Sequence, residues 1–199
     1  MILYLHGFRS SPLSYKAKLM GAALAERGLA ELWVCPQLPA SPAAAIAMAT
    51  HLIEQAQAQG VNISQDLVIV GSSLGGYYAT NLAEHWKCRA VVLNPAVYAA
   101  NSLATQVGEH TQYHSDAAFV FLPEYIDELA EIATGKPAHP ERYYLLACKG
   151  DEVLDWQDMA NWYAGSQGRI LEGGDHGISD FERWLPEVLE FALATPSTP

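Results

Sequence analysis

The chain has 199 residues, of which 50% are hydrophobic and 17% are charged, a composition that fits one globular domain with a substantial core. Its formal net charge of −11, from 22 acidic and 11 basic side chains, disfavours nucleic-acid backbones and anionic membranes as partners. No apolar run approaches the roughly 18 residues of a membrane span, and no basic segment precedes the first apolar run, so we expect a cytoplasmic protein.

Six short apolar runs alternate with helical patterns, which indicates βαβ units and a mostly parallel sheet. The runs lack polar residues at alternate positions, as is typical of strands that helices cover on both faces. The sequence therefore predicts a three-layer α/β/α fold in a single domain over residues 1–195, followed by a frayed tail at 196–199. The predicted strands are Ile2–Leu5, Leu32–Cys35, Leu67–Gly71, Ala90–Leu93, Tyr143–Cys148 and Arg169–Leu171.

Start and stop residues indicate the helices between these strands. Ser14 can cap the first helix, and Pro42 suits the first turn of an alanine-rich second helix. Near the end of the chain, the sequence predicts a first helical turn at Asp180–Trp184. It also predicts a separate helical segment that begins at Pro186 and ends at Leu193. The other predicted helices span residues 15–27, 42–59, 74–86 and 123–133.

The segment from about residue 96 to residue 140 is too long for an ordinary connection, although it contains the predicted helix at 123–133. One interpretation is a short insertion that overhangs the strand ends as a lid or substrate wall. The other is a crossover helix with irregular flanks. The sequence leaves both open.

The segment Gly71–Gly75 reads G-S-S-L-G and lies between a predicted strand and a predicted helix. This pattern is typical of a nucleophile elbow, in which the chain turns sharply and holds the serine above the sheet. Glycines are needed two residues either side of Ser73 because a Cβ there would collide with the neighbouring strand or helix. We therefore predict that Ser73 is a catalytic nucleophile.

A serine hydroxyl is a weak nucleophile, so it needs a base, and the base needs a carboxylate to orient it. His176 follows the last predicted strand, and Asp151 follows the strand before it. Both lie past the carboxyl ends of strands, at the edge of the sheet where Ser73 also lies. The sequence thus predicts a triad of Ser73, His176 and Asp151, with Asp155 as a rival for the acid.

Acyl transfer generates an oxyanion, which two backbone N–H groups usually bind. We predict that Leu74, directly after the nucleophile, and Phe8, on the loop after the first strand, supply them. Arg9 follows Phe8 and could contact an anionic part of the substrate, such as a carboxylate or a phosphate of coenzyme A. The alternative is an exposed loop arginine or a salt bridge.

Other polar clusters give weaker signals. His110 and His114 have helical i,i+4 spacing, but the glutamate of H-E-x-x-H is missing, so we expect no metal site. Cys35, Cys88 and Cys148 are odd in number and lack C-x-x-C spacing. We therefore expect buried, reduced thiols and no disulfide framework.

On these motifs the chain resembles the α/β-hydrolase superfamily, and more narrowly the small YqiA-like bacterial esterases. The segments that carry the resemblance are Leu5–Phe8, Ser10–Pro12, Gly71–Tyr77, Asn94–Ala96, Gly150–Asp155 and Gly174–His176. The resemblance implies a compact hydrolase with six parallel strands in the order 2-1-3-4-5-6 and a short insertion after the fourth. It also implies esterase or acyl-CoA thioesterase activity without a cofactor.

These observations together predict a serine esterase that acts on a small-molecule ester or thioester, and no obligate protein partner is evident. A thioesterase or acyltransferase could use the same residues with another leaving group or acceptor. A protein of a different class, a ligand-binding module on the hydrolase fold, would keep the triad without useful turnover.

Overall fold

A computed structural model describes residues 1–194, so the tail predicted at 196–199 lies outside the described residues. The described residues form eight strands and eight helices, with 3-10 turns at Ala30–Leu32, Ala104–Gln106 and Pro140–Arg142. The strands are β1 (Ile2–Leu5), β2 (Trp33–Val34), β3 (Val68–Ser72), β4 (Arg89–Leu93), β5 (Gly108–Thr111), β6 (Ala118–Phe121), β7 (Tyr143–Cys148) and β8 (Gln167–Leu171). The helices are α1 (Tyr15–Glu26), α2 (Pro42–Ala58), α3 (Ile63–Asp66), α4 (Leu74–Trp86), α5 (Ala99–Leu103), α6 (Glu124–Glu131), α7 (Trp156–Trp162) and α8 (Phe181–Leu193).

The main sheet has the strand order β2-β1-β3-β4-β7-β8, and every neighbouring pair is parallel. This confirms the predicted α/β fold and the predicted order of six strands. The register places Leu5 opposite Gly71 and Ser72 opposite Leu93, so the central strands end together at one edge. The loops that leave this edge carry the candidate site.

Successive residues of a strand point to opposite faces of the sheet. Because the residues on both faces are apolar, helices cover both of them. Ile69 belongs to a core that includes residues of α2, α4, α6 and α7. Val68 and Val70, on either side of Ile69 in β3, belong to a second core with α1 and α8. Within residues 1–194, no helix combines the length and the apolar character needed to cross a lipid bilayer.

Helix α8 corrects one prediction. Pro186 does not open a separate segment but lies inside a continuous helix over Phe181–Leu193. A proline at this point removes a backbone N–H donor from the helical ladder. The helix continues because one side of it, including Phe181 and Leu185 before the proline and Val188 after it, is buried in the second core.

The segment between β4 and β7 contains α5, an antiparallel hairpin of β5 and β6, and α6. Of these elements the sequence predicted only α6, as a helix at 123–133. His110 lies on β5 and His114 in the following turn, so their spacing is not helical. The hairpin packs on Phe8, whose ring meets Phe119 and Phe121 edge to face at 5.1 Å. These contacts bring the hairpin over the carboxyl ends of the strands.

Candidate active site

Ser73 lies in a sharp turn between β3 and α4. Its φ of 56° is unusual for a residue with a side chain. A Cβ on Gly71 would overlap the backbone of Gly75, and a Cβ on Gly75 would overlap the carbonyl of Leu5. The Ser73 N–H donates to the Leu93 carbonyl at 3.0 Å, which fixes the turn to the neighbouring strand. The tight turn directs the Ser73 hydroxyl into a cavity.

His176, on the loop after β8, connects this hydroxyl to a carboxylate. The His176 Nε2 lies 2.9 Å from Ser73 Oγ, and its Nδ1 lies 2.8 Å from Asp151 Oδ2. With its proton on Nδ1, the ring donates to Asp151 and accepts from the Ser73 hydroxyl. The structure therefore brings together all three residues that the sequence predicted for a triad.

The two candidate acids have different environments. The Asp151 side chain is completely buried, and its Oδ1 accepts hydrogen bonds from the N–H groups of Val153 at 2.8 Å and Leu154 at 2.9 Å. Asp155 caps α7 and accepts from the Gln157 N–H at 2.8 Å. Asp151 thus contacts His176, whereas the Asp155 carboxylate is used at a helix end.

The loop that carries His176 is held at several points. Asn94, at the end of β4, donates from Nδ2 to the carbonyls of Asp175 and His176 at 2.9 and 3.1 Å. Its Oδ1 accepts from the Cys148 N–H at 2.8 Å. Glu152 accepts from the His176 N–H at 3.0 Å. These bonds restrict the position of the imidazole.

The loop after β1 passes beside Ser73. A Cβ on Gly7 would lie 3.2 Å from the Ser73 Cβ, so glycine permits this close approach. His6 is buried, and burial lowers the pKa of its imidazole, which accepts from the Leu38 N–H at 3.0 Å. Within residues 1–194, neither the Phe8 N–H nor the Leu74 N–H donates a hydrogen bond. Both predicted oxyanion donors are thus available near Ser73.

Arg9, for which the sequence left open a substrate contact or a loop role, contacts the hairpin. Its Nε donates to the Thr111 carbonyl at 2.8 Å, and its guanidinium lies over the Tyr113 ring, 4.6 Å from the centroid. Arg9 does not line the cavity at Ser73. The Arg9 side chain attaches the β1 loop to the hairpin, which favours the interpretation of Arg9 as a loop arginine.

The cavity at Ser73 has a volume of about 560 Å³, within the usual range for small-molecule sites. The hairpin turn contributes Tyr113 and His114 to its lining. Lys16 also lines it, and its Nζ donates to the Gly177 carbonyl at 2.5 Å. Burial lowers the pKa of Lys16 to about 8.

Sequence reasoning did not identify Lys16. A signal was present, because Lys16, Met20 and Leu24 are spaced by four and lie on the buried side of α1. A lysine on the apolar side of a helix is uncommon unless it has a specific contact.

The cysteines show no sign of a nucleophilic role. All three are free, and Cys88 and Cys148 are buried. Burial raises the pKa of the Cys35 and Cys88 thiols to about 12, which leaves little thiolate at neutral pH.

Comparisons with known proteins agree with this architecture. The family described as "Uncharacterised protein family (UPF0227)" matches residues 1–193. Est1E from Butyrivibrio proteoclasticus, solved with bound ferulic acid, is 12% identical over 96% of this chain and 87% of that chain, with a TM-score of 0.67. Alpha/beta hydrolase domain-containing protein 10 from mouse is 15% identical over 95% of this chain and 89% of that chain, with a TM-score of 0.64.

The monoacylglycerol lipase from Paleococcus ferrophilus is 15% identical over 96% of this chain and 93% of that chain, with a TM-score of 0.65. At these identities the likeness concerns the fold. The six-stranded sheet and its helices have the α/β-hydrolase fold.

Proposed function

The chain belongs to the UPF0227 family, and we propose that it is a serine hydrolase that cleaves carboxylic acid esters or thioesters. The observation that carries the proposal is the continuous hydrogen-bonded series Ser73–His176–Asp151, with distances of 2.9 and 2.8 Å, at a cavity. Nucleophile, base and orienting carboxylate are the three parts that acyl transfer to a serine requires.

In the proposed reaction, Ser73 Oγ attacks the acyl carbonyl while His176 Nε2 accepts the hydroxyl proton. The bond from Nδ1 to Asp151 keeps the ring in the tautomer that leaves Nε2 free to accept, and the carboxylate stabilises the imidazolium that forms. The two backbone N–H groups on Asp151 Oδ1 keep that carboxylate in position.

The attack places a negative charge on the former carbonyl oxygen. We assign the Phe8 and Leu74 N–H groups to this oxyanion, since neither has an acceptor within residues 1–194. One such donor is generally worth about 3 to 4 kcal/mol of barrier. The protonated His176 then gives its proton to the leaving alcohol or thiol, which leaves an acyl group on Ser73. Water, activated by the same imidazole, releases the acid and regenerates the hydroxyl.

A fluorophosphonate probe followed by intact-mass measurement tests the proposal. We expect one covalent adduct on the wild-type protein, no adduct on Ser73→Ala, and hydrolysis of p-nitrophenyl esters by the wild type alone. A ligand-binding module without turnover would hydrolyse neither an oxygen ester nor an acyl-CoA. Failure of a well-folded wild-type protein on both substrate classes would contradict the proposal.

A further inference from the structure

The cavity at Ser73 differs in charge from the chain as a whole. Among the described residues that line it, Lys16 is the one lysine or arginine, and no aspartate or glutamate is present. Over the chain, acidic side chains outnumber basic ones by 22 to 11. A cation facing the cavity is therefore not explained by the general composition.

The Lys16 ammonium is incompletely paired. Lys16 is only 8% exposed, and the hydrogen bond from its Nζ to the Gly177 carbonyl uses one of the three N–H donors of the ammonium group. It forms no ion pair within residues 1–194. Burial of a cation is costly unless a counter-charge and hydrogen-bond acceptors accompany it. The carboxylates of Asp175 and Asp151, beyond ion-pair distance, offset part of this cost, and the rest remains at the wall of the cavity.

A second polar group is in a similar position. Ser14, which precedes α1 and lines the same cavity, has a buried hydroxyl whose polar neighbour is the hydroxyl of the buried Tyr4, without a well-formed hydrogen bond between them. It is the N-cap residue of α1, yet its side chain makes no capping hydrogen bond. A buried hydroxyl in a native protein normally has a partner. Lys16 has donors left for an acceptor that enters the cavity, and the Ser14 hydroxyl, which has almost no accessible surface, would have to rotate about its Cα–Cβ bond to reach one.

We propose that Lys16 and Ser14 form a subsite for a carboxylate carried by the substrate, on either its acyl part or its alcohol part. The inference rests on the proposed hydrolase function and specifies its substrate class. One cationic side chain balances one negative charge, which favours a carboxylate over a doubly charged phosphate. The carboxylate would accept from a free ammonium donor and from the Ser14 hydroxyl.

Lys16 could instead serve only to anchor the His176 loop through the Gly177 carbonyl. Loss of an anchor would impair all esters alike, whereas loss of a subsite would impair carboxylate esters more than neutral ones. The informative quantity is therefore the ratio of kcat/KM for a charged ester to kcat/KM for its neutral counterpart.

Two substrate pairs distinguish the two possible positions of the carboxylate. Mono-p-nitrophenyl adipate against p-nitrophenyl hexanoate tests the acyl part, and 4-acetoxybenzoate against phenyl acetate tests the alcohol part. Lys16→Met removes the charge and keeps most of the side-chain length. Lys18→Met, on the exposed side of the same helix, makes the same charge change outside the cavity and is the matched control.

We expect Lys16→Met to lower the charged-to-neutral ratio about tenfold or more for at least one pair, as for loss of a hydrogen bond to a charged group. Lys18→Met should leave both ratios unchanged. Ser14→Ala should lower the same ratio about threefold, and it tests the subsite even where Lys16→Met fails to fold.

Ratios that stay constant in both Lys16→Met and Ser14→Ala would overturn the subsite, while hydrolysis of the neutral esters would leave the proposed function intact. A well-folded wild type that hydrolyses none of the four oxygen esters and no acyl-CoA would contradict the hydrolase proposal and the subsite with it.

Discussion

Asp151 contacts His176 through only one of its carboxylate oxygens. Oδ2 lies 2.8 Å from the imidazole Nδ1, whereas Oδ1 accepts from the backbone N–H groups of Val153 and Leu154. The backbone thus determines which oxygen faces the histidine. This arrangement makes the effect of an amide at position 151 predictable.

In Asp151→Asn, the amide oxygen should face the two backbone donors, so the NH₂ group would face His176 Nδ1. The ring would then have to accept at Nδ1 and carry its proton on Nε2, where it could not take the proton of Ser73. We expect turnover of a p-nitrophenyl ester to fall by about 10² to 10⁴. Asp155→Asn is the matched control and should retain activity, because Asn also caps helices well. Loss of activity in Asp155→Asn alone would move the acid to Asp155.

Substitutions of Ser73 should separate activity from stability. Ser73→Ala should lower ester hydrolysis by a factor on the order of 10⁴ or more. Ser73→Gly should be equally inactive but more stable than Ser73→Ala by about 1 kcal/mol, since a positive φ strains a residue that has a Cβ. Urea unfolding of both variants measures this difference. Comparable activity in a folded Ser73→Ala protein would refute Ser73 as the nucleophile.

The buried Lys16 should affect stability in a pH-dependent way. Burial lowers its pKa from 10.5 to about 8, against the negative charges of Asp175 and Asp151, which raise it. Between these pH values the unfolded chain binds more protons, so the Lys16 contribution to the free energy of unfolding increases as pH rises. Below pH 8 the folded protein bears the full cost of the buried cation.

Lys16→Met lacks this titration. Its stability relative to the wild type should therefore be greatest near pH 7 and decrease by up to about 3 kcal/mol by pH 10. Parallel urea titrations at several pH values provide the measurement, and groups common to both proteins cancel in the difference. A difference that is independent of pH would show that Lys16 has an ordinary pKa.

Arg9→Ala should behave differently from Lys16→Met. Because Arg9 contacts Thr111 and Tyr113 and does not line the cavity, its loss should loosen the attachment of the hairpin. We expect kcat/KM for mono-p-nitrophenyl adipate and for p-nitrophenyl hexanoate to decrease by the same factor. A selective loss with the charged ester would restore Arg9 as a substrate contact.

The sheet and the meeting of Ser73, His176 and Asp151 at one edge of it could be predicted because their signals are local. Each central strand is a continuous apolar run, and the G-x-S-x-G spacing reflects steric limits within a few residues of Ser73. Polar residues directly after β7 and β8 then indicated Asp151 and His176.

The hairpin could not be predicted for the opposite reason. Strand β5 reads Gly-Glu-His-Thr, with little apolar character, and the hairpin is held by the Phe8 ring and the Arg9 guanidinium from a distant part of the chain. The predicted helix start at Pro186 was wrong because burial of one side of α8 outweighs the one missing backbone hydrogen bond. Lys16 has no motif, and its interest arises only from the cavity that the fold forms around it.

The position of β8 at the edge of the sheet predicts the order in which the protein loses activity and folded structure on heating. The base of the proposed triad follows the last strand of the sheet, whose first three residues are exposed, whereas Ser73 follows a central strand. Edge elements generally open at lower free energy than the centre of a sheet. The bonds from Asn94 to the carbonyls of Asp175 and His176 oppose this opening from the centre. Gradual heating should therefore produce an early, reversible loss of function, with the serine still in place, before cooperative melting of the interior.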